Sequence, residues 1–346
     1  MRRFLILIAL LPLFVLQADA FDLQAPEVPD SGKALMPYET ESFAEGMWSV
    51  ITAAISELHP EIASAIKTGA AMIGMSVLLS IFRLIPGCQE RVAELVGVVS
   101  VTLILMGSSS SMIRLAAETV SELTAYGKLL FPVLTTALAA QGGATTSAAL
   151  YAGTLAFDTI LGSLLYSVIT PLVYIFLCFC LLHAATGQEL LGKLRDLCKW
   201  MITWSLKTVL YVFTGYMGIT GVVSGSTDAA ALKATKITIS GMVPVVGGIL
   251  SDTSEAVLVS AGVVKNAIGV YGMISVMAVW ISPFLRIGIQ YILLKCCHGI
   301  CCIFPSKQTN GLIQNFGDAM GILLAMTGCV CLFLMISVIC FMKGVG

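Results

Sequence analysis

A chain of 346 residues that is 58% hydrophobic and only 11% charged, with a mean hydropathy of +0.95, has too few polar side chains to clothe a water-soluble globule. The formal net charge of -1 provides no basic surplus for neutralising phosphates, which argues against nucleic acid as a partner. The composition therefore excludes a soluble enzyme and points to an all-α polytopic membrane protein, a bundle of transmembrane helices whose main solvent is lipid.

The first twenty residues have the three parts of a secretory signal. Arg2 and Arg3 precede an apolar run from Phe4 to Leu16, and Ala18-Asp19-Ala20 sets small residues where a signal peptidase reads. Cleavage after Ala20 is expected, because the apolar run is too short to span comfortably. Residues 21–66 then carry Pro26, Pro29, Pro37 and many carboxylates against few cations, as a translocated segment does. Within them Phe43, Met47, Ile51, Ile55, Leu58 and Ile62 recur at helical spacing, predicting an amphipathic helix that leads to the membrane.

The polytopic domain, 67–346, holds about seven apolar stretches: 68–86, 92–112, 159–182, 201–223, 264–283, 287–304 and 319–341. An odd count with the N-terminus outside places Lys343 in the cytoplasm. Arg83 and Arg91, and Lys193, Arg195 and Lys199, then fall on the inner side. Residues 113–141 are too polar to span; Arg114, Glu118 and Glu122 share one face there, which reads as an interfacial helix.

Catalytic and cofactor motifs fail. Gly187 to Leu194 is one residue short of a phosphate-binding loop, Leu194 offers no hydroxyl to magnesium, and the segment joins two apolar helices instead of leaving a strand. Three histidines, His59, His183 and His298, are few candidates for general bases, so neither an enzyme nor a cofactor is expected. Cys296, Cys297, His298, Cys301 and Cys302 cluster densely, but they read as thiols packing a crowded interface, with no metal assigned.

Charges in apolar surroundings are more telling, because an ionised group at bilayer depth is costly unless paired or wet. Asp158 and Lys295 either line a wet path, pair across helices or reach an interface, whereas Lys207 and Lys265, beside Asn266, read as snorkelling. Gly215, Gly218, Gly221 and Gly225 form a ribbon without side chains, suited to close helix packing or to a pore-facing groove. In the central segment, 228–266, Lys233 and Lys236 share a face; Pro244 with Gly247 and Gly248 then breaks the apolar run before Asp252. A re-entrant or pore-adjacent element competes there with a plain helical hairpin.

At these residues the chain resembles the stage III sporulation protein AE family of endospore-forming Firmicutes. The resemblance is carried by Ala231-Leu232-Lys233-Ala234-Thr235-Lys236, by Pro244-Val245-Val246-Gly247-Gly248-Ile249-Leu250-Ser251-Asp252, and by Val264-Lys265-Asn266-Ala267-Ile268-Gly269. It implies a multi-pass protein of the mother-cell membrane that engulfs the forespore, serving a channel or secretion-like complex required for late forespore development. The partners it implies are other stage III sporulation membrane proteins and a forespore-membrane protein, with self-association left open. No catalytic residue is carried over. The residues themselves leave a second class open, a self-contained secondary transporter for a small solute, although the Pro244 break has no mate in the first half of the kind inverted repeats supply. The expected pore or partner residues are Lys233, Lys236, Pro244, Gly247, Gly248, Asp252, Lys265, Asn266 and Asp158.

Overall fold

The computed structural model describes residues 24–37, 42–83, 89–242, 247–304 and 306–343, with the side chains at 90 and 220–258 outside that description. The expected signal and its cleavage site lie outside the described residues, as does Pro244. Every regular element among the described residues is helical: α1 Asp30–Lys33, α2 Phe43–Ser56, α3 His59–Phe82, α4 Glu90–Ala140, α5 Ala144–Ser163, a π-helical turn Leu164–Ile169, α6 Thr170–Thr186, α7 Glu189–Met242, α8 Gly247–Cys301 and α9 Lys307–Lys343. The fold is thus the expected helical membrane bundle. In lipid a helix meets all its internal backbone hydrogen-bonding needs from its own chain.

Local chemistry sets the breaks. Ser42 caps α2, accepting a hydrogen bond from the Glu45 N–H at 3.3 Å. The amphipathic run predicted through Ile62 is cut at Glu57 and Leu58, because Pro60 sits in the first turn of α3, where its missing N–H costs nothing. Gly187, at φ 70°, ends α6 in the left-handed region and donates its N–H to His183 O at 2.8 Å. The loop-like Gly187 to Leu194 stretch is therefore a helix stop followed by a helix start. In α1, which is exposed, the hydrogen bond and charge of Lys33 hold the Asp30 carboxyl below its ordinary value, at 2.8 Å.

The predicted spans are corrected in two places. Residues 92–112 and the segment read as interfacial, 113–141, are one helix of 51 residues, about 77 Å long. The fifth and sixth spans are likewise one helix, α8, which runs through Pro283 and Arg286 without a turn. Arg286 is tolerated because Glu61 of α3 pairs with it at 3.5 Å. By length and composition, five helices among the described residues could cross a membrane: His59–Phe82, Arg91–Ala140, Ala144–Thr186, Val259–Cys301 and Lys307–Lys343.

Packing is centred on α9, which touches α4, α6, α7 and α8. Phe333 lies between Phe131 and Phe213, with ring centroids 6.3 and 4.4 Å away, and Phe131 stacks on Phe341 at 6.2 Å. Because lipid tails are as apolar as these rings, close packing rather than escape from water holds such a core together. A second core seats α2 on α8 through Val50, Ala54, Ile274 and Ala278.

The contacts also fix direction. Gly97 meets Thr309 and Gln308 meets Gly187, so the α3–α4, α6–α7 and α8–α9 connections share one end of the bundle. That end carries Arg83, Arg91, Lys193, Arg195, Lys199 and Lys307, which agrees with placing the two basic loops on one side. The other end holds Met342 against Gly269. Lys343 and Lys193 therefore sit at opposite ends of the bundle, where the expectation had both in the cytoplasm. With α8 one helix in place of two spans, the seven expected stretches fall on six continuous helical runs, an even number. Reporters active on one side of the membrane, fused at Lys193 and after the last residue, should give opposite signals, with Lys193 inside. The same side from both would overturn this arrangement.

Candidate functional site

The outward face of α4 changes character along its length. Val92, Val99, Leu103 and Met106 are exposed and apolar, as a lipid-facing stripe should be. From Gly107 the same face reads Ser111, Arg114, Glu118, Ser121, Ala125 and Lys128, polar or small at every step of three or four residues. Arg114 and Glu118 pair at 3.7 Å with their side chains 75% and 60% exposed, so neither is hidden from its surroundings.

Opposite this stripe run α5, the π-helical turn and α6, leaving a furrow. Its main part is a cavity of about 980 Å³, continuous through Ser121 and Tyr166 with a second of about 270 Å³. At its other end Ser110 and Tyr174 join it to an apolar recess of about 170 Å³ that reaches Phe316 of α9. The opposite wall exists because Pro171 cannot donate to the fourth residue back. The Thr170 N–H reaches five residues back to Leu165 O, and the Thr170 hydroxyl donates to the same oxygen at 2.9 Å. The resulting wide turn puts Tyr166, 67% exposed, on the rim of both cavities.

Asp158 closes the second cavity. It is 1% exposed on α5 and lines the space together with Lys128, Ser121 and Thr124 of α4. Its Oδ2 has no hydrogen-bond partner. The carboxyl group thus sits inside the bundle at the wall of a polar cleft.

The other expected residues are scattered. Lys265 is not a snorkelling lysine: it is 2% exposed, on the face of α8 that also carries Gly262 against the Gln141 side chain and Gly269 against Met342. Asn266, its neighbour, points outward. Lys207 is exposed, as snorkelling requires. The structure gives Lys233 and Lys236 helical backbone in α7, and Gly247, Gly248 and Asp252 helical backbone in α8, but their side chains lie outside the described residues. Asp158 and Lys265 are on separate surfaces, and nothing described brings them together. A Cβ added at Gly215 or Gly218 would meet nothing within 4 Å, so among the described residues no other helix packs against this part of the ribbon.

Two clusters find ordinary explanations. Cys297 and Cys301 are buried against α3, where Ser76 Oγ donates to Cys301 Sγ at 3.3 Å; His298 Nδ1 lies 3.1 Å from Asn310 O. Among the described residues no three His, Cys, Asp or Glu side chains are set to hold a metal ion. Lys295 pairs across helices, donating to Asp318 Oδ1 at 2.8 Å while Lys199 donates to Oδ2 at 2.8 Å. Asp318 was not anticipated. The available signal was a lone carboxylate opening the apolar run of α9, facing two lysines that each lack an obvious partner.

A bundle of long apolar helices with a polar furrow along one of them defines a polytopic membrane protein with a lateral hydrophilic surface. Residues 33–344 match the sequence profile of the family described as Stage III sporulation protein AE (spore_III_AE), and the chain belongs to that family. It is 23% identical over 268 residues to the Stage III sporulation protein AE of Bacillus subtilis (strain 168), covering 75% of this chain and 67% of that relative. No solved structure matches it. Membership gives the chain a role in sporulation.

Proposed function

We propose that this protein is the multi-pass membrane subunit of a channel or secretion-like assembly joining mother cell and forespore, and that it has no catalytic activity. In this reading it sits in the mother-cell membrane around the forespore and contacts other stage III sporulation membrane proteins and a protein of the forespore membrane. The observation that carries the reading is the furrow. A membrane protein working alone has little reason to present Ser111, Arg114 and Glu118 sideways from an apolar bundle, whereas a subunit that shares a hydrophilic path with its neighbours does.

Asp158 then serves the path and not merely the packing. Asp158→Asn, which keeps size and hydrogen bonding, should leave spore formation within about a few-fold of wild type, and Asp158→Leu should reduce it by an order of magnitude or more at equal membrane levels. Spore counts alongside immunoblots of the membrane fraction separate the two. Equal spore yields from both variants would remove the furrow from the mechanism. Purification from sporulating membranes should bring partner proteins along, and a chain that comes out alone and moves a solute in vesicles would favour the transporter.

A further inference from the structure

At the basic end of the bundle, away from the furrow, the α6–α7 turn and the start of α9 enclose a cleft of about 340 Å³. His183, Gly187, Arg195, Lys307, Gln308 and Asn315 line it. Two of these are cations fixed on different helices, and the start of α9, a helix of 37 residues, adds the positive end of its dipole. The carboxylates nearby cancel only part of this. Asp196 Oδ1 accepts from Nε and Nη2 of Arg195 at 2.9 and 2.8 Å, which offsets that charge and leaves Nη1 for a further acceptor; Asp318 is held between Lys199 and Lys295, and Glu189 is exposed in the first turn of α7, so Lys307 and the helix dipole carry most of the positive character. Lys307 is exposed, and Asn315, 8% exposed, supplies a buried amide.

The surroundings say where this cleft lies. Leu190, Leu197, Trp200 and Trp204 are exposed along the first turns of α7, and the two indoles stack at 6.0 Å. Trp200 and Trp204 follow Arg195 by one to three helical turns. Tryptophans with this exposure mark the headgroup layer, so the cleft, on the opposite face of α7, lies at the depth of the lipid phosphates.

We propose that this cleft binds the phosphate of an anionic phospholipid, with Arg195 and Lys307 as the cationic contacts and Gln308 and Asn315 as amide donors. Binding would tie the beginnings of α7 and α9 to one headgroup and so fasten the basic end of the bundle to the bilayer surface.

The test uses the full chain purified in mild detergent and titrated with dioleoylphosphatidylglycerol or dioleoylphosphatidylcholine in mixed micelles, read by native mass spectrometry. Phosphatidylglycerol should be retained and phosphatidylcholine not. Arg195→Gln with Lys307→Gln should weaken retention about tenfold or more, and Lys193→Gln, outside the cleft, should leave it unchanged. If the double variant does not fold, Lys307→Gln alone, at an exposed helix start, should still weaken it about threefold. Undiminished binding by the variants, or equal loss with Lys193→Gln, would overturn the site. Displacement of the lipid by millimolar inorganic phosphate would show a free-anion site and overturn the lipid assignment.

Discussion

Asp318→Ala should lower the amount of folded protein in the membrane several-fold, and Lys295→Met in the same chain should restore much of it. Asp318 is the shared acceptor for Lys199 and Lys295, each at 2.8 Å, with side chains 18%, 46% and 36% exposed. Removing it leaves two cations facing each other on α7 and α8. Breaking a fully buried pair costs about 3–5 kcal/mol; with this exposure about 1–3 kcal/mol is expected, enough to change abundance several-fold. Lys295 also lies over Tyr291, 5.7 Å from the ring centroid, and methionine removes the charge while its thioether can still rest on the ring, in a weaker contact than the ammonium makes. Unchanged levels for Asp318→Ala, or no recovery in the double variant, would mean that the triad is incidental.

Gly153→Leu should be more damaging still. A Cβ at this position would run into the ring and hydroxyl of Tyr216, whose Oη donates to Ala149 O at 3.2 Å. The absence of a side chain at Gly153 is what lets α7 approach α5 closely enough for that bond. Even Gly153→Ala should cost about 1–3 kcal/mol by overpacking, and leucine about 3 kcal/mol or more. Tyr216→Ala vacates the same space, so the pair should be less damaging together than the sum of the two changes. Protease resistance of the detergent-purified protein measures this; strictly additive losses would show that the two residues do not share the space.

Residue chemistry made some of this legible. The apolar composition announced the bundle, Asp158 stood out as a charge needing a polar setting without saying which, and the central motif pointed to the family that the profile match establishes. Span counting failed at Pro283 and Arg286, which look like a turn in one dimension. In three dimensions Glu61 of α3 neutralises the arginine, and α8 continues through its proline. The furrow was hidden for a different reason: its polar stripe was visible in residues 113–141, but the wall that makes it a furrow depends on the hydrogen-bond shift at Pro171. Lys265 was misread because its face of α8 meets Gln141, just after α4, and Met342 of α9, both far away in sequence.

The position of α9 bears on how the protein is made. It follows every other described helix in the chain, yet it carries the carboxylate that both Lys199 and Lys295 need and the phenylalanines on which α4 and α7 close. Helices synthesised earlier must wait at the insertion machinery or in lipid with those lysines unanswered. A ribosome that stalls before Asp318 would release a set of inserted segments with no centre, a ready substrate for membrane proteases. Synthesis of the final helix is thus the step that turns separate spans into one body.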